Sequence, residues 1–327
     1  MTLTSLGSIA LSHLESWRYD AAVAQVNLPE DLLFVLGHWR SGTTLLHELL
    51  ALDTEPWAFA NTYEVMNPQT FLLTEAWCSR WLAGLVPQRR PMDNMPISFQ
   101  SPQEDEFAIA LLTLQSYYLS LAFPAAEQRY ERYLTLEALS PCESQHWQGQ
   151  FVGFLKKLIY KYQRSLVLKS PPHTARIGLL LNLFPQARFD HIHRHPYAVF
   201  QSMRHYYHTA GWLTYLQSPN FGTLDQAILR RYRLMYDAYF QQRSLIPANQ
   251  FCEIAFADLA AAPLATGQKI YRQFDLPYTP LFDQQLQHYL QGRQRYRKNQ
   301  FATLTPATQR QITHHRHQSF EQWRYLV

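Results

Sequence analysis

The sequence predicts an α/β domain of three layers, with helices on both faces of a central parallel sheet and a largely helical insertion at residues 56–147. Three observations carry this. Four short apolar runs, Leu32–Leu36, Leu166–Leu168, Arg188–His193 and Phe251–Phe256, have the length and continuity of strands buried on both faces. Helical patterns follow most of them, and that alternation builds parallel sheets. Composition is even along the chain, with no Gly/Ser linker and no low-complexity tract, so residues 1–327 read as one domain.

After the first run, Thr43–Leu52 is apolar along one face, as a helix docked on a sheet must be. The segment 56–147 has mostly helix and loop patterns and can cover the strand ends. Within it, Phe107–Ala126 has no charge and is long enough to be weighed as a membrane span. Its Gln115, Ser116, Ser120 and Pro124, and the acids Glu104–Glu106 just before it, favour a helix buried in a globular core. Ala175–Phe184 reads as a helix that stops before Pro185. Pro196–Tyr207 starts on a proline, as a first helical turn can, and Asp225–Arg243 is a long amphipathic helix. Ligands of such sheets bind beyond the C-terminal ends of the strands.

The 327 residues are 47% hydrophobic and 17% charged, which supports a sizeable core and excludes a disordered chain. A net charge of +4 suits an anionic ligand but is too dispersed to point to nucleic acid. Cys78, Cys142 and Cys252 are odd in number and far apart, with no CxxC, so neither a disulfide framework nor a zinc site is expected and a cytoplasmic location fits. His191, His193 and His195 alternate, which on a strand sets all three on one face. His314, His315 and His317 fall in a polar helical tail, and neither group reads as a metal site. Glu15, Arg18 and Asp20 break up the N-terminal segment, which does not read as a signal peptide.

The most informative segment is Gly37-His38-Trp39-Arg40-Ser41-Gly42-Thr43-Thr44. A buried strand runs into a tight loop with two glycines and then into a helix, at the glycine spacing of a Walker A loop. Backbone amides in such a loop, with the helix N-terminus, cradle phosphate oxygens, and Thr43 and Thr44 add hydroxyls. A nucleotide-hydrolysing loop carries Lys directly after the second glycine. Here Thr43 stands there and the cation, Arg40, comes earlier. No magnesium carboxylate is evident, so the loop should hold a phosphate or phosphosulfate without a metal. Two further strands end in cations. One stops at Lys169 before Ser170-Pro171-Pro172-His173. The other stops at Arg194, with Ser202 two turns into the following helix. Arg194 offers a fork of donors and Ser202 a hydroxyl, so both can grip one phosphate.

These residues resemble the PAPS-dependent sulfotransferases, in particular their bacterial branch. The Arg40–Thr44 loop is similar to that family's 5′-phosphosulfate loop, and Arg194 with Ser202 is similar to its 3′-phosphate motif. The runs Ser101-Pro-Gln-Glu-Asp-Glu-Phe107, Leu168-Lys-Ser-Pro171 and Tyr296-Arg-Lys-Asn299 are shared, and the matches extend from about Phe34 to Tyr325. His195 stands where Asp commonly follows the 3′-phosphate Arg, and Phe256 where Tyr is common. The resemblance implies a P-loop-like sulfotransferase fold. It also implies 3′-phosphoadenosine 5′-phosphosulfate (PAPS) as co-substrate, with no metal, and transfer of its sulfonate to a hydroxyl or an amine.

On that reading His38, Trp39, Arg40, Ser41, Gly42, Thr43, Thr44, Arg194, Ser202, Arg297 and Lys298 hold the nucleotide, and Lys169 stands near the bridging oxygen. Glu64, Glu104, Glu106 and His173 are the candidates for the base, with Glu64 and Glu104 level. Glu106 ranks next and His173 last; the structural alternatives are helix caps for Glu64 and Glu104 and a satisfied loop residue for His173. Aromatic residues at 57–147 and 206–215 favour an apolar small-molecule or lipid-like acceptor. Peripheral membrane contact and a homodimer stay open. The rival readings are a P-loop kinase and a non-catalytic binder of adenosine 3′,5′-bisphosphate (PAP).

Overall fold

A computed structural model of the chain describes residues 3–82, 84, 95–293 and 299–327. The described residues build one five-stranded sheet from β1 (Leu33–Leu36), β2 (Trp57–Ala58), β3 (Ser165–Lys169), β4 (Arg188–His193) and β5 (Phe251–Ala255), in the order β2-β3-β1-β4-β5. Every pairing is parallel. β1 lies at the centre with all four residues buried, which is why it reads as an unbroken apolar run. In register, Val35 lies between Lys169 on β3 and Asp190 on β4, so the cation-bearing tip of β3 and the end of β1 reach the same sheet edge.

The period-two alternation of the strands sorts the core into two layers. Phe34, Leu36, Leu166, Leu168 and Phe189 face one side and pack with the helices Pro141–Tyr162, Pro196–Thr209 and Leu224–Gln242. Leu33, Val35, Val167, Ile192 and Ile254 face the other, under Thr43–Leu50, Pro263–Gln273 and Pro280–Gly292. This is the expected three-layer α/β/α arrangement. Residues 56–147 contribute β2 and a set of mostly short helices, among them Thr62–Met66, Phe71–Trp81 and Glu106–Thr113.

Four expectations need correction. The uncharged stretch Phe107–Ala126 is not one helix. It breaks into Glu106–Thr113, Leu119–Ala122 and a 3-10 turn at Pro124–Ala126. Leu114 ends the first helix at φ 56°, and the Thr113 and Ser116 hydroxyls accept from the N–H groups of Gln115 and Tyr118. Local side-chain bonds of this kind compete with the helical ladder. Among the described residues no helix is long and apolar enough to cross a membrane. Ala175–Phe184 begins instead as a 3-10 turn, Pro171–Ala175, and becomes α-helical only at Ile177, because Arg176 sits at φ −130° with its side chain drawn into the core. β2 is an unforeseen edge strand of two residues, too short to leave a pattern. His195 does not share the strand face of His191 and His193; it leaves β4 as the N-cap of the Pro196–Thr209 helix, its ring accepting from the Tyr197 N–H at 3.3 Å.

Candidate active site

The loop after β1 is shaped by its backbone. Gly37 and Gly42 hold φ of 143° and 113°, values that favour glycine. A Cβ at Gly37 would stand 2.5 Å from the Ile192 carbonyl oxygen, and one at Gly42 would run into the Phe256 ring. Arg40 itself lies at φ 70°, a conformation costing a non-glycine residue about 1–3 kcal/mol. The loop is held from behind. The Gly37 N–H donates to Thr174 Oγ1 at 2.7 Å, the His38 N–H to the Tyr236 hydroxyl at 3.3 Å, and the Ser41 N–H to the His38 carbonyl at 3.1 Å. The Thr43–Leu50 helix starts from Gly42, which has no side chain to cap it. Its positive end therefore opens onto a cavity lined by Gly42, Thr43 and Thr44, an arrangement suited to an anion.

Two arginines meet in this cavity of about 210 Å³. Arg40 Nε donates to Ser202 Oγ at 3.0 Å, and Arg194 Nη1 donates to the Arg40 carbonyl at 3.1 Å. The Arg194 guanidinium also lies 4.6 Å over the Phe256 ring, so the aromatic at 256 supports the cation. The loop, Arg194 and Ser202, far apart in sequence, thus form one contiguous cationic wall. Arg293, Asn299 and Phe301 complete the cavity from the C-terminal segment. Sequence reasoning passed over Arg293, which pairs with Glu48 at 2.5 Å and lies over Tyr289. Arg297 and Lys298 lie outside the described residues.

A second cavity of about 240 Å³ adjoins the first and shares Arg40, Thr43 and Thr44 with it. Its walls are mostly apolar, including Ile97, Phe107, Leu121, Met203 and Tyr206. Glu104 projects into it. Glu104 Oε1 receives Lys169 Nζ at 2.5 Å, and Oε2 receives the Tyr118 hydroxyl, which in turn accepts from Trp39 Nε1 at 3.2 Å. Lys169 is buried at the tip of β3. A carboxylate backed by a buried ammonium therefore stands in the cavity that shares Arg40, Thr43 and Thr44 with the first. At the far side, Arg231 is enclosed by Glu127, Tyr117 and Tyr207.

A family model described as the sulfotransferase family matches residues 32–280. The chain belongs to the sulfotransferase family. It is 35% identical over 300 residues to the omega-hydroxy-beta-dihydromenaquinone-9 sulfotransferase Stf3 of Mycobacterium bovis, over 90% of this chain and 76% of the relative. The same figures hold for Stf3 of Mycobacterium tuberculosis. The fold is similar to the crystal structure of sulfotransferase STF9 from Mycobacterium avium, with TM-score 0.71 and 20% identity, covering 95% of this chain and 81% of that one. It is also similar to STF1 from Mycobacterium tuberculosis H37Rv, with TM-score 0.66 and 17% identity, covering 93% and 80%. Membership of this family sets aside the kinase reading of the loop.

In this sulfotransferase the remaining sequence candidates separate from the cavities. Glu64 lines neither. It closes a capping box with Asn61 and receives Lys161 Nζ at 2.7 Å and the Tyr162 hydroxyl at 2.8 Å. Burial pushes its carboxyl above the ordinary value although Lys161 draws it down. Glu106 is equally committed, in a two-pronged pair with Arg176 at 2.6 and 3.1 Å and accepting from Ser116 at 2.7 Å. His173 is buried against Phe34 and Phe151 with Nε2 2.6 Å from Asp105 Oδ2. Burial alone would raise the Asp105 carboxyl, but the His173 charge and hydrogen bond hold it below its usual range. Expectation ranked Glu64 level with Glu104. In the structure Glu64 caps a helix and lines neither cavity, whereas Glu104 lines the second. In the loop, the His38 ring is turned into the core against Tyr232 and Tyr236, and burial keeps it well below the usual imidazole range. His38 and buried Ser41 therefore give the site backbone rather than side chain, whereas Trp39 lines the second cavity. Among the described residues no group of His, Cys, Asp and Glu is placed to hold a metal.

Proposed function

We propose that this sulfotransferase moves a sulfonate group from PAPS to a hydroxyl at the end of an apolar, lipid-like acceptor, releasing PAP. The observation that carries the reading is the junction of two unlike cavities, one cationic and one apolar, at Arg40, Thr43 and Thr44. The nucleotide occupies the cationic cavity, with its 5′ end on the loop amides, Arg40 and Thr44 and its 3′-phosphate on Arg194 and Ser202. The acceptor enters the apolar cavity, which puts its hydroxyl beside Glu104.

Transfer then follows as an in-line displacement. The acceptor oxygen forms a bond to sulfur as the bond from sulfur to the bridging phosphate oxygen breaks. The hydroxyl proton passes to Glu104. The electron pair of the broken bond stays on the phosphate, where Arg40, the loop amides and the helix dipole stabilise it. Lys169, bonded to Glu104, orients the carboxylate, and its charge would favour the negative charge that develops on the bridging oxygen.

The mycobacterial relatives are named for an ω-hydroxylated menaquinone, and the same kind of acceptor, a hydroxyl on a long apolar chain, suits the walls described above. Exposed Trp212, Leu213 and Leu216 lie on a segment tied to the second cavity by the Leu216 N–H to Ala122 carbonyl bond, beside cavity-lining Leu121. They offer an apolar face on which a membrane-held acceptor can be met. Two measurements test the reading: calorimetry with PAP, and transfer of labelled sulfonate from PAPS to a series of ω-hydroxy prenyl and alkyl compounds. Binding with transfer that improves with chain length is expected. Binding without transfer to any alcohol or amine would favour a non-catalytic PAP binder, and no binding would sink the proposal.

A further inference from the structure

Three large buried arginines differ in one respect. Arg176 meets Glu106 and the carbonyls of Leu134 and Tyr133, and Arg231 meets Glu127 and two tyrosine hydroxyls. Arg316, only 2% exposed, meets no carboxylate among the described residues. Its Nη1 donates to the Pro196 carbonyl at 2.6 Å and its guanidinium stacks 3.7 Å over the Tyr232 ring, but Nε and Nη2 find no partner. Those two N–H groups are the side-on fork of the guanidinium, parallel donors spaced for two oxygens of one oxyanion. A buried cation without a counter-charge is costly, so native structures pair it.

Arg316 lines a cleft, although Nε and Nη2 are themselves closed to solvent, so an ion reaches the fork only as the kinked turn yields. Arg316 interrupts the Pro306–Gln322 helix at φ −126°, ψ 17°, and a cleft of about 530 Å³ opens there against the Leu224–Gln242 helix. Besides Arg316 it is lined by Arg233, His314, His315 and His317, with Asp237 as the opposing charge. Thr313 and Ser319 add hydroxyls. None of these residues lines the nucleotide or acceptor cavity.

We propose that the kink of the C-terminal helix is a second anion site, in which the Nε/Nη2 fork of Arg316 takes a small oxyanion of the sulfate or phosphate class. The anion compensates the buried charge. It also steadies the Pro196 carbonyl, at the start of the helix that carries Ser202.

The test is diffraction from crystals of the full chain soaked in selenate, whose anomalous signal locates each ion whether or not the nucleotide reading holds. A selenate within hydrogen-bonding reach of Arg316 Nε and Nη2 is expected, separate from any at Arg40 and Arg194. Water or a protein oxygen on the fork, with selenate elsewhere or nowhere, overturns the proposal. In solution, sulfate should raise the melting temperature of the wild type above a chloride control of equal ionic strength. Arg316→Lys, which keeps the charge but loses the fork, should show a smaller rise, and equal rises would count against the site. Should Arg316→Lys not fold, the wild-type soak still decides.

Discussion

Replacing Glu104 by Gln removes the proposed proton acceptor; its one oxygen can receive Lys169 or Tyr118 but not both, and buried Lys169 loses its counter-charge, so the variant should also melt below wild type and its turnover is read per folded molecule. Positioned general bases contribute roughly 10²–10⁴ in rate, which at about 1.4 kcal/mol per decade raises the barrier by about 3–5 kcal/mol. The Glu104 carboxylate touches only the acceptor cavity and not the cationic one. The loss should therefore fall on turnover and spare nucleotide affinity. Steady-state transfer assays, calorimetry with PAP and a melting curve on one preparation separate the three quantities. Glu64→Gln is the control: it strips a buried cap and an ion pair with Lys161, so it should lower the melting temperature yet leave turnover per folded molecule near wild type. Turnover of Glu104→Gln within about threefold of wild type would refute the assignment, and a deep turnover loss confined to Glu64→Gln would move the base to the other carboxylate.

Three further outcomes follow from the geometry. Gly37→Ala forces a Cβ to 2.5 Å from the Ile192 carbonyl at a φ of 143°, so the variant should unfold in denaturant well before wild type and lose PAP binding. Glu106→Gln breaks a fully buried pair with Arg176 and should cost about 3–5 kcal/mol in urea unfolding, because an uncompensated guanidinium remains. Burial holds the Asp190 carboxyl up at about 8, against an ordinary 3.8. A raised folded value means its contribution to stability is complete below about pH 4 and is lost as pH rises toward and through 8. Asp190→Asn, which never ionises, should therefore melt close to wild type near pH 4 and above it near pH 9; a gap that does not widen with pH would contradict the buried placement.

What the sequence made legible was whatever depends on local backbone. β1 and its loop could be read because a doubly buried strand leaves an unbroken apolar run and because two positions at positive φ call for glycine. The helix starting at Pro196 was legible for the same reason. The two segments that line most of the second cavity, 56–147 and 206–215, were legible by their aromatics, but Met203 and Arg231 were not, since each reads locally as ordinary core. Phe107–Ala126 misled because hydrophobicity marks burial without marking continuity, and the hydroxyls of Thr113 and Ser116 that break it look unremarkable in a list. Glu64 could have been set aside, as Asn61 three residues before it is a capping-box spacing, and the structure forms that box.

The acidic run Glu104-Asp105-Glu106 shows how one short segment is made both structural and chemical. Each acid meets a different basic side chain from the tip of β3 and the turn after it: Glu104 with Lys169, Asp105 with His173, Glu106 with Arg176. The second and third pairs are sealed from solvent, at 1% exposure or less on either side, while Glu104 keeps 12% of its side chain open to the cavity. Buried pairs add little net stability compared with apolar packing, but breaking one is expensive, so they fix geometry more than they add energy. Two such pairs pin residues 105 and 106 of the insertion to the turn after β3, and the residue before them emerges in the second cavity. On this argument the bond to Lys169 turns the Glu104 carboxylate but does not place its backbone. The backbone is set by its two neighbours, which explains why a carboxylate carried on an irregular segment can stand beside the anion loop as steadily as one built on a strand.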